Sequence, residues 1–283
     1  MNDRNSKTKK QSGACVLPCD FHTHTVFCDG NNTAFEMARA AYDAGFSALG
    51  FSGHGYTPFD SSYCMTQNDT NRYLSEISAL KEQYLGRMDI YAGLEADLYS
   101  VYDRERFDYI IGSVHYINID GRYIDVDNTP QILKNAAQQY FGADMLSLCE
   151  RYFEQVSQLE NADIIGHFDL ITKFCEREEL FDMSSRRYRL SALTALDTLL
   201  DKDKVFEVNT GAISRGYRKT PYPAPFILKR ISERGGRVIL SGDAHDVNGI
   251  CAYFDDAAAL LKSLGVKNIV TFTKSGFKEN SPD

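Results

Sequence analysis

Short, nearly continuous apolar runs recur along the chain. Longer stretches with apolar positions every three or four residues separate them. The runs at 16–22, 48–52, 89–95, 109–115, 163–167, 205–209 and 237–242 are rich in β-branched and aromatic residues. They read as strands of a buried parallel sheet, which shows apolar side chains on both faces. A further run at 268–272 is a last candidate. The segments between them read as helices. Thr33-Ala34-Phe35-Glu36 is a capping box, and Gly45 closes the helix that follows. Residues 69–85 form a polar amphipathic helix, and Pro130 stands at a first helical position. Met145, Cys149, Tyr152, Phe153 and Val156 fall at helical spacing within 143–159. Leu193, Leu196, Leu199 and Leu200 share one face of 186–200, and 247–264 is the last amphipathic segment.

Strand–helix alternation repeated seven or eight times predicts either a doubly wound α/β sheet or an α/β barrel. The histidines separate the two. All six stand at or just beyond the ends of the strand candidates: His22 and His24, His54, His115, His167 and His245. An open sheet gathers its site at one switch point, whereas a barrel brings every strand end to one mouth. The barrel is predicted. Two loops should rise from that mouth. Asp120-Gly121, flanked by alternating residues after His115, signals a hairpin. The Gly/Pro-rich, basic and aromatic segment 210–225 carries Arg215 and Arg218.

Bulk properties then narrow the function. A net charge of −8 argues against a track for long nucleic acid, while leaving a small anionic substrate open if bound cations reverse the local potential. Seven irregularly spaced cysteines without a CxxC pair argue against a disulfide framework. No run approaches the roughly 20 apolar residues of a membrane span. Residues 1–13 are polar and basic without an apolar core, so they read as a disordered leader rather than a secretory signal. A soluble, cytoplasmic protein with one barrel domain over 14–283 is expected.

Converging imidazoles imply metal. His22 and His24 are two apart, which places both on one face of an extended strand end. Asp243 and His245 repeat that spacing, Asp29 lies in the turn after His24, and Glu95 ends a strand. Six histidines with these three carboxylates exceed what one or two ions require and suit three ions completed by water. Cys28, beside Asp29, reads as a packed thiol because the ligand set is complete without it.

The pattern resembles the PHP (polymerase and histidinol phosphatase) family of metal-dependent phosphoesterases, from Asp20 to about Gly249. The resemblance rests on His22-x-His24 with Asp29, the single His54, the strand-end Glu95, His115, His167 and the final Asp243-x-His245. One departure is Gly53, where many relatives carry Asp before the histidine. The resemblance implies a distorted (β/α)7 barrel with three divalent ions of zinc, manganese or iron. It places His22, His24, Glu95 and Asp243 on one ion, Glu95, His115 and His167 on a second bridged by Glu95, and Asp29, His54 and His245 on a third. GSVHY, GHFDLITKF and EVNTGAISRGYRKTPYP look most like the histidinol-phosphatase branch, which releases phosphate from L-histidinol phosphate in histidine biosynthesis. Glu95 and Asp243 are the expected catalytic carboxylates, the second oxygen of Asp243 being a candidate proton acceptor. Arg215 and Arg218 are the expected phosphate-binding residues. Other phosphoesterase substrates (nucleotides among them), an amidohydrolase and a catalytically silent metal-binding module are the competing readings. The amidohydrolase reading lacks a strand-end lysine.

Overall fold

The computed structural model describes residues 17–279, so the leader expected at 1–13 lies outside the described residues. In chain order the strands are β1 (Cys19–Asp20), β2 (Ala48–Phe51), β3 (Asp89–Asp97), β4 (Tyr109–Ser113), β5 (Tyr116–Ile119), β6 (Arg122–Asp125), β7 (Ile164–Ile165), β8 (Val205–Asn209), β9 (Arg237–Ser241), β10 (Val270–Thr273) and β11 (Gly276–Glu279). The helices are α1 (Ala34–Asp43), α2 (Gln67–Gln83), α3 (Pro130–Tyr140), α4 (Met145–Val156), α5 (Arg186–Leu200), α6 (Gly211–Ser214), α7 (Pro225–Glu233) and α8 (Phe254–Ser263). The capping box at Thr33 and Glu36 forms as predicted and starts α1.

Seven strands pair in the order β1-β2-β3-β4-β7-β8-β9, every neighbour parallel. Beyond the strand ends, Thr23 forms a parallel bridge with Ala244. The His24 N–H donates to the Ala244 carbonyl at 2.9 Å, and the Ala244 N–H donates to the His22 carbonyl at 3.1 Å. The last strand thereby meets the first and the sheet closes as a (β/α)7 barrel. Closure matters for function because it aligns the C-terminal ends of all the strands around one rim.

The eighth strand candidate stays outside the barrel. β10 pairs antiparallel with β11 and packs Phe272 and Phe277 against the barrel floor. There Phe21, Tyr91 and Tyr109 fill the interior with ring centroids 5.8 and 6.0 Å from Phe21. The Tyr109 hydroxyl donates to the Phe21 carbonyl at 2.5 Å. Its ring takes the space that side chains at 50 and 93 would need: a Cβ at Gly50 would lie 2.2 Å from the hydroxyl oxygen, and one at Gly93 2.3 Å from the ring. Those glycines let one large ring plug the floor beneath the strand that delivers Glu95.

The last amphipathic segment is shorter than predicted. Residues 247–253 run through turns, and only Phe254–Ser263 is helical, starting at Tyr253 with φ of 63°. Cys19, Cys28, Cys64, Cys149 and Cys175 are free thiols, but Cys251 departs from the reduced state expected and is disulfide-bonded. Among the described residues no helix is long and apolar enough to cross a membrane.

Candidate metal centre

The extended chain beyond β1 carries His22 and His24 inward while Thr23 turns the other way, its hydroxyl donating to the Gly50 carbonyl at 2.8 Å. Both imidazoles are fully buried, with ring centroids 5.1 Å apart. His54 lies beyond β2 and forms a parallel bridge with Glu95. His115 and His167 follow β4 and β7, and Asp243 and His245 follow β9. All nine expected ligands meet at the rim.

Glu95 sits at the middle, and its two oxygens face different groups. Oε1 lies 2.8 Å from His167 Nε2 and 3.3 Å from His115 Nε2, and it accepts from the Ser113 hydroxyl at 2.8 Å. Oε2 lies 3.2 Å from His22 Nε2, 3.4 Å from His24 Nε2 and 3.0 Å from His54 Nδ1. Asp243 Oδ1 joins that second group, 3.4 Å from His24 Nε2 and 3.8 Å from His22 Nε2. At the outer edge Asp29 Oδ1 is 3.6 Å from His54 Nε2, and Asp29 Oδ2 is 3.1 Å from His245 Nε2. His24 also faces this outer group through Nδ1, 3.5 Å from Asp29.

Most of these spacings suit ligands around ions better than hydrogen bonds. Two ligand atoms each about 2.1 Å from a tetrahedral ion lie about 3.4 Å apart. His22 Nε2, His24 Nε2 and Glu95 Oε2 are buried without a hydrogen-bond partner, an arrangement costly to a protein unless something else satisfies those atoms. Burial pushes the His24 imidazole down to about 3, helped by the neighbouring His245 and His54, so it is neutral at physiological pH. Neutral imidazole is the form that ligates. The donor set therefore fits divalent ions.

Around the ligands stands a set of orienting carboxylates that the sequence pattern did not reveal. Glu207 Oε1 lies 2.5 Å from His22 Nδ1, leaving Nε2 to face inward. Its other oxygen accepts from the His167 N–H at 2.7 Å and the Asn209 side chain at 2.9 Å. Asp97 Oδ2 accepts from the His115 N–H at 2.7 Å and lies 3.6 Å from its Nδ1. The Glu207 contact fixes the orientation of the His22 ring and strengthens it as a donor, whereas Asp97 holds the His115 backbone and leaves its Nδ1 without a hydrogen-bond partner. The available signal was a charged residue inside an apolar strand run, as in VFEVN. Position 53 contributes no such partner, and it has little room for one. A Cβ there would come within 3.2 Å of Met65 and 3.3 Å of Cys28 Sγ. Cys28 is the packed thiol expected; burial pushes it up to about 12, so it stays protonated.

Facing the ligands is a cleft of about 220 Å³ whose other wall includes Asp127, Leu170, Lys173, Arg215, Tyr217 and Tyr222. Arg215 reaches it as expected, but it is anchored: Nη2 donates to Asp243 Oδ2 and Nη1 to the Asp243 carbonyl, each at 2.8 Å. The second Asp243 oxygen, expected to be open to take a proton, is therefore already engaged. Asp243 holds a left-handed φ of 47°, a conformation that costs a non-glycine residue of order 1–3 kcal/mol and collects at functional sites.

Arg218 does not reach the cleft. It is buried, donates to the Thr172 hydroxyl, lies 4.0 Å from Asp169 and stacks 4.3 Å from the Tyr222 ring centre. Its charge is satisfied underneath the site. Lys173 takes the place at the wall: its Nζ donates to the Asp127 carbonyl at 2.6 Å and the carboxylate at 3.2 Å, and lies 4.8 Å from the Tyr217 ring centre. The predicted hairpin forms as β5 and β6, and the chain leaving it delivers Asp127. Tyr116 turns aside to donate to Asp60 at 2.7 Å.

Comparison with known proteins decides the family. A PHP domain profile matches residues 20–211. The chain belongs to the PHP family. It is 31% identical to the "Probable histidinol-phosphatase" of Deinococcus radiodurans over 89% of this chain and 95% of that protein. It is 25% identical to the histidinol-phosphatase of Bacillus subtilis over 82% and 94%. The histidinol phosphate phosphatase of Lactococcus lactis, solved with zinc, L-histidinol and phosphate, superposes with a TM-score of 0.69 at 21% identity, covering 92% of this chain and 98% of that one. This last likeness establishes the PHP barrel as the shared fold.

Proposed function

We propose that this PHP enzyme hydrolyses L-histidinol phosphate to L-histidinol and phosphate. Its rim would hold three divalent ions in the groups centred on Glu95 Oε1, Glu95 Oε2 and Asp29. The observation that carries the reading is Glu95 dividing its two oxygens between separate histidine groups beside a cleft bearing Arg215 and Lys173. The named relatives, matched over nearly their whole length, support the substrate. Zinc, the metal of the Lactococcus lactis structure, is the first candidate among zinc, manganese and iron.

Bound divalent ions neutralise a phosphate dianion and activate water at neutral pH. The chain's own residues supply the rest. Glu207 and Asp97 hold His22 and His115 in register, and Arg215 fixes the Asp243 carboxylate while presenting its guanidinium to the cleft. A planar cation beside a phosphoryl group stabilises charge that spreads over the equatorial oxygens in the transition state. Lys173 adds a second positive charge on the same wall, oriented by Asp127.

Phosphate release from L-histidinol phosphate tests the function directly. Protein purified without chelator should release phosphate and carry two to three divalent ions per chain. Chelation should abolish the release, and added metal should restore it. Active protein with one ion or none would overturn the trinuclear assignment.

Arg215→Ala isolates the guanidinium. A hydrogen bond to a charged group contributes about 1.5–3 kcal/mol, so kcat/KM should fall by roughly 10- to 150-fold, with metal content measured alongside because the change also frees the Asp243 carboxylate. Arg218→Ala should lower thermal stability, since it strips a buried Asp169 of its cation. Wild-type kinetics for Arg215→Ala would remove it from phosphate binding.

A further inference from the structure

Tyr222 is the polar group of the cleft that the proposed function leaves unexplained. It is 1% exposed, it lines the cleft, and its hydroxyl has no hydrogen-bond partner among the described residues. Buried hydroxyls are nearly always paired, and one that is not usually has a functional role or a partner that arrives later. The ring is held on three sides. Its backbone exchanges hydrogen bonds with Asn209 at 2.8 and 3.0 Å, and the Asn209 side chain reaches Asp243 Oδ2 at 3.3 Å and Glu207 Oε2 at 2.9 Å. One ring face carries the Arg218 guanidinium at 4.3 Å, itself fixed by Thr172 and Asp169. The metal ligand His167 lies edge-on, with ring centroids 6.3 Å apart. The phenol is thus rigid, stands beside the metal ligands and is bordered by a cation on its far face.

We infer that the Tyr222 hydroxyl is a catalytic hydrogen-bond donor to the phosphoryl group of the substrate, with Arg218 a positioning residue behind it. The inference deepens the proposed phosphatase reading and rests on it. Two features favour the phosphoryl group over the tail of the substrate. The ring packs beside His167, a ligand-group residue, so the hydroxyl belongs to the metal end of the cleft. The cation stacked behind the ring makes its O–H a better donor to an anion. The arrangement also accounts for Arg218: a guanidinium expected to clasp phosphate acts through the ring it supports.

Tyr222→Phe removes one oxygen and leaves the ring, the stacking and the backbone bridge. The metal-loaded variant should lose about 10- to 150-fold in kcat/KM, the range for a hydrogen bond to a charged partner. The loss should be alike for L-histidinol phosphate and for p-nitrophenyl phosphate, which share only the phosphoryl group. Competitive inhibition by inorganic phosphate should weaken in parallel. Metal content should not change, and the melting temperature should hold or rise, because an unpaired buried oxygen has been removed. Unchanged kinetics would overturn the inference. So would a loss confined to L-histidinol phosphate, which would move the hydroxyl to the substrate tail, or a fall of several degrees in melting temperature, which would make its role structural. Wild-type protein that hydrolyses no monoester would remove the phosphatase reading instead. Calorimetric binding of inorganic phosphate by metal-loaded wild type and Tyr222→Phe would then still decide the Tyr222 contact, with equal affinities counting against it.

Discussion

Glu95→Gln should be the most damaging single substitution in the site, lowering phosphate release by about 10³-fold and removing metal from more than one position. The geometry sets the size of the effect. Glu95 is buried, and five histidine nitrogens surround its two oxygens at 2.8 to 3.4 Å. Glutamine keeps the volume but replaces one acceptor with a donor and deletes the charge. Removing one partner from a buried charged cluster costs about 3–5 kcal/mol, and each 1.36 kcal/mol of barrier is tenfold in rate. Asp29→Asn should be milder, because Asp29 stands at the more exposed edge and serves the outer group alone. Metal analysis of both variants beside their phosphate-release rates separates the outcomes. A Glu95→Gln protein that keeps its full metal content and most of its rate would show that the carboxylate does not bridge.

The candidate ligand set was legible in the sequence because its signals are local. His-x-His at a strand end has a fixed geometric consequence, and the period-two alternation that puts Thr23 outward puts His22 and His24 inward. The barrel followed from ligand residues at nearly every strand end, and its seventh-strand closure through Thr23 and Ala244 agrees with that count. What escaped reading depends on contacts between distant segments. Glu207 orients a histidine 185 positions away, and no local pattern in VFEVN distinguishes it from a pairing charge. Arg215 and Arg218 share one loop and looked equivalent. The short helix α6 and the turn after it send one up to Asp243 and the other down to Asp169. Lys173 carries no local signal of its place at the wall. It lies just after a single 3₁₀ turn, Leu170–Thr172, which follows His167 into the cleft wall.

Selectivity should be the second large effect, with kcat/KM for L-histidinol phosphate about 10⁴-fold above that for AMP, a short oligonucleotide or p-nitrophenyl phosphate. The cleft of about 220 Å³ is small beside the roughly 300–1,000 Å³ typical of ligand pockets. Its far wall holds the Asp127 carboxylate, Tyr217 and Lys173, an acid and an aromatic face of the kind an ammonium and an imidazole require. A substrate carrying both groups can set its ammonium against Asp127 and its imidazole against Tyr217. An ester lacking them makes no such contacts at that wall, and sites built to hydrogen-bond a substrate reject analogues that lack the matching groups by about 10⁴–10⁵. Measuring the four substrates under one metal condition gives the ratio. A value near one, or a preference for AMP, would reassign the substrate to another small monoester while leaving the metal centre and the Glu95 prediction in force. A high ratio that collapses in Asp127→Asn, with p-nitrophenyl phosphate turnover retained, would place the discrimination at that wall rather than at the ions.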